Sequence, residues 1–206
     1  MPKGAGLELM NQTPPQVVLI AGPNGAGKTS LAPFLLRDRF AEFAFVNADT
    51  IASGLSAFEP ERVAIEAGRV MLDRLRELSE RKESFAFEST LAARSYAPWL
   101  KGLQRTGYEV HLIFVWLRSV DLAIEPVAGR IRRGGHAVHP NEIRRRYQRG
   151  VGNLFDLYIP IADAWAVYDN SEENQPSLVA VGGTKGPLRI SRPEHWQVLL
   201  ESRPQK

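Results

Sequence analysis

The sequence predicts an α/β fold of the P-loop NTPase/kinase-like class: a three-layer sandwich with a mainly parallel sheet, helices on both faces and an arginine-rich helical lid. Three observations predict it. Apolar runs of strand length alternate with helix-period segments along the 206 residues, the pattern of the βα units that build parallel sheets. The first apolar run, Val17-Val18-Leu19-Ile20-Ala21, enters Gly22-Pro23-Asn24-Gly25-Ala26-Gly27-Lys28-Thr29, a G-x-x-x-x-G-K-T loop in the strand-then-helix setting that phosphate binding requires. Seven arginines between Arg130 and Arg149 stand against one acidic residue, Glu142, and Gly134-Gly135 and Pro140 divide that stretch into helix, loop and helix.

The elements follow in order. After an N-terminal arm ending near Pro14-Pro15, a strand over Val17–Ala21 leads into the phosphate loop and a first helix from Lys28 to about Asp38. Phe43 to Val46 reads as a second short strand, ending at Asn47-Ala48-Asp49. From Pro60 a long helix is expected, with Val63, Ala67, Val70, Met71, Leu75 and Leu78 on one face at helical spacing. Pro60 suits its first turn, with Glu59 and Glu61 near the positive end. Ser84 to Phe87 is the third strand, ending at Glu88-Ser89-Thr90, and Tyr96 to Arg105 is helical before Gly107. Tyr108 to Leu117 is rich in aromatic and β-branched residues and makes the fourth strand. Helix and lid occupy Val120 to Gly150, and Ala164 to Tyr168 is a fifth strand ending at Asp169-Asn170-Ser171. Weaker strands around Leu178–Val181 and Leu188–Ile190 and a helix from Pro193 complete the chain. Trp99, Trp116 and Trp165 fall on these elements, where core packing is the default. No internal repeat or linker divides the sequence, which is read as one domain over residues 1–206 with its lid at about 130–150.

A chain of this length buries roughly 70% of its unfolded surface without staples, and with no cysteine it has no disulfides. The start lacks the apolar core of a signal peptide, and no apolar run approaches the roughly 18 residues of a membrane span; a soluble, cytoplasmic protein is expected. The net charge is only +3, so the basic character belongs to the Arg130–Arg149 segment. A segment broken at Gly134-Gly135 and Pro140 is a poor continuous groove binder for nucleic acid. Beside a triphosphate it reads as a lid that closes on phosphates.

In the phosphate loop, glycines let successive backbone N–H groups point into one concavity, and the following helix N-terminus adds its own donors. Gly22, Pro23, Asn24, Gly25, Ala26, Gly27, Lys28, Thr29 and Ser30 are the expected nucleotide-binding residues. Lys28 is expected to reach the β- and γ-phosphates and Thr29 to offer its hydroxyl to Mg²⁺, with ATP or GTP as the donor. Ligands of open α/β sheets gather beyond the carboxyl ends of the strands. Asp49 follows strand two there, as a proton acceptor for an attacking hydroxyl or as a helix N-cap. Glu88 follows strand three, as a substrate or Mg²⁺ contact or as the partner of a nearby arginine, and Ser89 and Thr90 either cap the next helix or contact substrate. Asp169-Asn170-Ser171 at the end of strand five is read as an Asx turn, the alternative being a contact to the nucleotide base. His136 and His139 flank the lid turn without the further ligands a zinc site needs.

Together these residues resemble the zeta toxin-like P-loop kinases, including compact bacterial members. The resemblance rests on the phosphate loop, Asn47-Ala48-Asp49, Phe87-Glu88-Ser89-Thr90-Leu91, Arg130-Ile131-Arg132-Arg133-Gly134-Gly135-His136, Ile143-Arg144-Arg145-Arg146-Tyr147, Asn153-Leu154 and Asp169-Asn170-Ser171, and runs from about Val17 to Ser171. It implies ATP-dependent phosphorylation of a hydroxyl on a UDP-activated amino sugar such as UDP-N-acetylglucosamine, in the toxin arm of a toxin–antitoxin pair. By that likeness Lys28 contacts phosphates, Asp49 is the general base, and Asp49, Glu88 and Thr90 line the substrate pocket. Arg130 matches the family's helix-borne arginine, and the second lid arginine falls among Arg133, Arg145 and Arg146.

Overall fold

The computed structural model describes residues 13–57, 59–124, 139–172, 176–184 and 186–204. Its strands are β1 (Gln16–Ala21), β2 (Ala44–Val46), β3 (Phe85–Ser89), β4 (Glu109–Trp116), β5 (Ala164–Asp169), β6 (Ser177–Gly183) and β7 (Gly186–Ile190). The α-helices whose full span is described are α1 (Lys28–Leu35), α2 (Ala48–Leu55), α3 (Ala64–Glu80), α4 (Tyr96–Arg105), α5 (Pro140–Asn153) and α6 (Pro193–Glu201), and residues 120–124 are also helical. One seven-stranded sheet runs in the order β2-β3-β1-β4-β5-β6-β7. The pairings from β2 to β5 are parallel, and β6 and β7 add antiparallel. This is the expected α/β sandwich.

The burial pattern explains the layering. Every residue of β1 is buried, as are Phe85–Phe87 and Val110–Trp116. Side chains alternate between the two faces of a strand, so uninterrupted burial means that both faces are covered. Phe85, Phe87, Tyr96, Trp99 and Tyr108 form one aromatic layer, with ring centroids 5.1 to 6.4 Å apart. Full burial of Phe85 and Phe87 stabilises the fold by about 1.5–3 kcal/mol each, while Tyr96 and Trp99 are partly buried against them. Trp116 and Trp165 are buried and Trp99 packs against the core. The fourth tryptophan, Trp196 of α6, stacks on Trp165 at 5.8 Å.

Three local expectations are corrected. The first helix stops at Leu35, not near Asp38, because Arg37 is extended (φ −56, ψ 161) and Asp38 has φ 63, a left-handed conformation that no right-handed helix continues through. The helix expected from Pro60 begins as a 3₁₀ turn over Pro60–Val63 and becomes α-helical at Ala64. On it Ala67, Met71, Leu75 and Leu78 are buried, whereas Val70 is 42% exposed and lies off the packed stripe. Among the described residues no helix is long and apolar enough to cross a membrane.

Candidate active site

Parallel register brings the candidate residues to one level at the carboxyl edge. Ile20 of β1 pairs with Glu88 of β3, and Val46 of β2 pairs with Phe87. Asn47, the residue after Val46, therefore arrives beside Glu88. Gly22 turns the chain out of β1 with φ +145, and a Cβ there would overlap the backbone oxygen of Val115 on β4. Only glycine lets the loop leave the strand so close to its neighbour.

Lys28 is buried and donates to the carbonyl of Pro23 at 2.9 Å, which folds its ammonium back over the loop. The same ammonium lies 3.5 Å from Glu88 Oε1. Glu88 Oε2 accepts from the Thr29 hydroxyl at 2.8 Å and from Asn47 Nδ2 at 2.7 Å. One carboxylate thus gathers the lysine and threonine of the phosphate loop and the polar residue that ends β2. The sequence offered an arginine as the simplest partner for Glu88; the structure gives it Lys28.

The N-cap of α2 is Asn47, whose Oδ1 accepts from the backbone N–H groups of Asp49 at 2.7 Å and Thr50 at 3.1 Å. Asp49 sits in the first helical turn, exposed. The capping alternative for Asp49 is thereby replaced: two residues upstream a better-placed amide satisfies the free N–H groups. Among the described residues the Asp49 carboxylate has no hydrogen-bond or ion-pair partner.

The loop after β3 is held from below. Ser89 Oγ accepts from Leu91 N–H at 3.1 Å and Thr90 Oγ1 from Ala92 N–H at 3.4 Å, a pair of side-chain turns around Leu91 at φ 57. Asn153 at the end of α5 donates to Leu91 O at 2.7 Å, and the Tyr158 hydroxyl donates to Ala93 O at 2.9 Å. Burial pushes the Tyr158 phenol up to about 12, with the neighbouring Tyr96 phenol adding to it. Gly150 of α5 meets Thr90 so closely that a Cβ would stand 2.7 Å from the Thr90 carbonyl oxygen.

Helix α5 carries Arg145 and Arg146, and both pair with Glu142 one turn earlier, Arg146 Nε at 2.8 Å. The Arg146 hydrogen bond, joined by the charge of Arg145, holds the Glu142 carboxyl below the usual carboxylate range. Arg144 reaches Asp121 at 3.5 Å. His139 is the N-cap of α5, its Nδ1 accepting from Asn141 N–H at 3.3 Å, and Pro140 occupies the first turn. Tyr147 fixes the helix to β4: its hydroxyl accepts from Trp116 Nε1 at 3.0 Å and donates to Leu117 O at 2.7 Å, and burial raises its pKa. Arg130, Arg133 and His136 lie outside the described residues.

Asp169-Asn170-Ser171 makes the expected Asx turn, Asp169 Oδ1 accepting from Ser171 N–H at 2.9 Å. Sequence reasoning missed the rest of this corner. Asp169 is buried and meets Arg118 Nε at 3.1 Å and His195 Nδ1 at 3.0 Å. Asn170 Nδ2 donates to Ala26 O of the phosphate loop at 2.9 Å. No local pattern marks these partners, because each comes from a distant element; only the polar triplet at the end of a strand signals the place.

Comparison with known proteins bears on the family and the fold. The model of the Zeta toxin family matches residues 6–175. An uncharacterized protein of Haemophilus influenzae is 26% identical over 132 residues, 64% of this chain and 92% of that protein. Among solved structures, the fold is similar to the AvrRxo1-ORF1:AvrRxo1-ORF2 crystal structure with sulphate ions (TM-score 0.71, 16% identity), covering 93% of this chain and 65% of that one. It is also similar to the structure of the PezAT chromosomal toxin–antitoxin system of Streptococcus pneumoniae (TM-score 0.64, 19% identity), covering 93% of this chain and 79% of that one. With a P-loop kinase fold, a complete phosphate loop and a family match over most of its length, the chain belongs to the zeta toxin family.

Proposed function

We propose that this chain is an ATP-dependent kinase that phosphorylates a hydroxyl of a UDP-activated amino sugar of the UDP-N-acetylglucosamine type. The observation that carries the reading is the division of labour at α2. Asn47 takes the capping role, so the exposed Asp49 carboxylate stands unpartnered among the described residues, two positions from the side chain that contacts Thr29 and Glu88. A carboxylate so placed is suited to take the proton of an attacking hydroxyl.

In the proposed reaction the acceptor oxygen attacks the γ-phosphorus while the bond to the β–γ bridging oxygen breaks. The hydroxyl proton passes to Asp49 and ADP departs. Lys28, held at the loop by Pro23 O, neutralises the β- and γ-phosphate oxygens, and Glu88 and Thr90 contact the sugar nucleotide. Arg130, with a second arginine from Arg133, Arg145 and Arg146, stabilises charge on the phosphoryl group in flight. The Thr29 hydroxyl and Glu88 carboxylate, 2.8 Å apart, are the oxygen donors that Mg²⁺ prefers. When bound, that ion neutralises phosphate charge. An antitoxin protein as partner, supported by the likeness to the PezAT toxin–antitoxin structure, and a cytoplasmic setting complete the reading.

The test incubates the purified chain with γ-labelled ATP, Mg²⁺ and a panel of UDP-sugars, nucleosides, antibiotics and oligonucleotides. Label on a UDP-amino sugar is expected. Strong label on another hydroxyl compound with none on sugar nucleotides would reject the substrate class. Phosphate release with no labelled acceptor would instead point to an ATP-hydrolysing switch.

A further inference from the structure

Asn47 joins the start of the Asp49 helix to Glu88 and to Thr29 of the phosphate loop. It is 4% exposed, and each end of its amide is engaged. Oδ1 accepts from the N–H groups of Asp49 and Thr50. Nδ2 donates to Glu88 Oε2 at 2.7 Å and lies 3.3 Å from Thr29 Oγ1. Capping alone requires only an acceptor, which serine or aspartate supplies about as well. An amide supplies the donor too, and here that donor meets a carboxylate.

From this we infer that Asn47 is a positioning residue for phosphoryl transfer. It fixes the carboxylate of Glu88 and the start of the Asp49 helix in one register relative to Thr29, so that donor and acceptor sides of the site keep a single geometry. The inference rests on the kinase reading proposed above. The Nδ2 donor also holds Glu88 on the Thr29 side, leaving Lys28 at 3.5 Å from the carboxylate with its closer contact to Pro23 O. Loss of the donor therefore perturbs the placement of Glu88 while the cap survives.

Four variants test this: Asn47→Ser, Asn47→Asp, Glu88→Gln, and Asn47→Asp combined with Glu88→Gln. Melting temperatures are measured first, and kinetics are run well below the lowest, so that every chain assayed is folded. Transfer of γ-label from ATP is followed to UDP-N-acetylglucosamine and, in parallel, to water.

Asn47→Ser keeps a capping oxygen and loses the bridge; kcat is expected to fall about 10- to 100-fold, the equivalent of one charge-assisted hydrogen bond. The KM for ATP should move far less, because the phosphate loop itself is intact. Asn47→Asp sets two carboxylates against each other and should lose more. In the Glu88→Gln background the same change should cost little, since donor and acceptor are merely exchanged across the pair. A merely structural asparagine would lower the melting temperature and leave kcat of the folded chain alone. An Asn47→Ser kcat within about twofold of the parent, or additive losses in the double variant, would overturn the inference. A parent chain that binds ATP but turns it over with neither acceptor removes the kinase reading and this inference with it. An active parent with an equally active Asn47→Ser chain removes the inference alone.

Discussion

Replacing Glu88 by glutamine keeps the shape of the side chain and removes its charge, which makes it the sharpest probe of the site. The side chains of Lys28 and Glu88 are 7% and 11% exposed and 3.5 Å apart. At an effective dielectric near 20, charges at that separation attract by about 5 kcal/mol, a gross figure that desolvation largely offsets. The change also turns the Thr29 and Asn47 contacts from charge-assisted to neutral, at about 1 kcal/mol each. Removing the Glu88 charge from beside the buried ammonium brings the expected loss to about 3 kcal/mol. For a chain of this size that lowers the melting temperature by about 6–12 °C. ATP reverses the sign of the effect, since its phosphates supply Lys28 with the charge that Glu88 no longer competes to provide. Scanning calorimetry with and without ATP, in EDTA so that the lysine alone is read, should give a lower melting point and a larger ATP-induced rise than the parent shows. A variant that melts within about 2 °C of the parent, or that gains no more from ATP, would refute the pairing.

Asp49→Asn should leave ATP affinity within about twofold by calorimetric titration while transfer falls about 10²- to 10⁴-fold; full turnover would remove Asp49 as base. Gly22→Ala combines a strained φ with overlap on the Val115 backbone oxygen and should cost about 2–5 kcal/mol in urea unfolding. A loss under about 0.5 kcal/mol would mean that β1 and β4 separate there more easily than their packing implies. Burial raises Tyr96 and Tyr147, and Tyr108 and Tyr158 are pushed up to about 12. The folded chain binds those protons more tightly than the unfolded chain, so their contribution to stability is full below about pH 10. It declines as pH rises from about 10 toward 12. Ultraviolet titration at the phenolate band should therefore show most of the 5 tyrosines ionising only above the ordinary phenol range, and a single wave near pH 10 would contradict this.

Much of the architecture is legible in the sequence because local and global signals agree there. Tyr96–Arg105 is helical to the residue, and β4 lies within the expected Tyr108–Leu117, since amphipathic period and β-branched content are properties of short windows. Val70 fails for the same reason: it sits one position from Met71, and periodicity alone does not decide the edge of a buried stripe. At the site, the residue types and their positions at strand ends are legible, but the hydrogen-bond assignments are not. Asn47 and Asp49 are both good caps, and only the backbone decides between them. The bond from Asn170 to Ala26 and the 3.0 Å approach of His195 Nδ1 to Asp169 span the chain and leave no periodic trace.

The loop after β3 and helix α5 share three fastenings: Gly150 against Thr90, Asn153 on Leu91 and, just beyond the helix, Tyr158 on Ala93. The proposed acceptor side at Thr90 and the helix bearing Arg145 and Arg146 are therefore fastened to each other. Any displacement of that helix toward nucleotide must carry the backbone of residues 90–93 with it. Amide exchange at Leu91 and Ala92 would then register events among the arginines, and an acceptor wedged against Thr90 would be sensed, through bare backbone contact, by the helix on the far side.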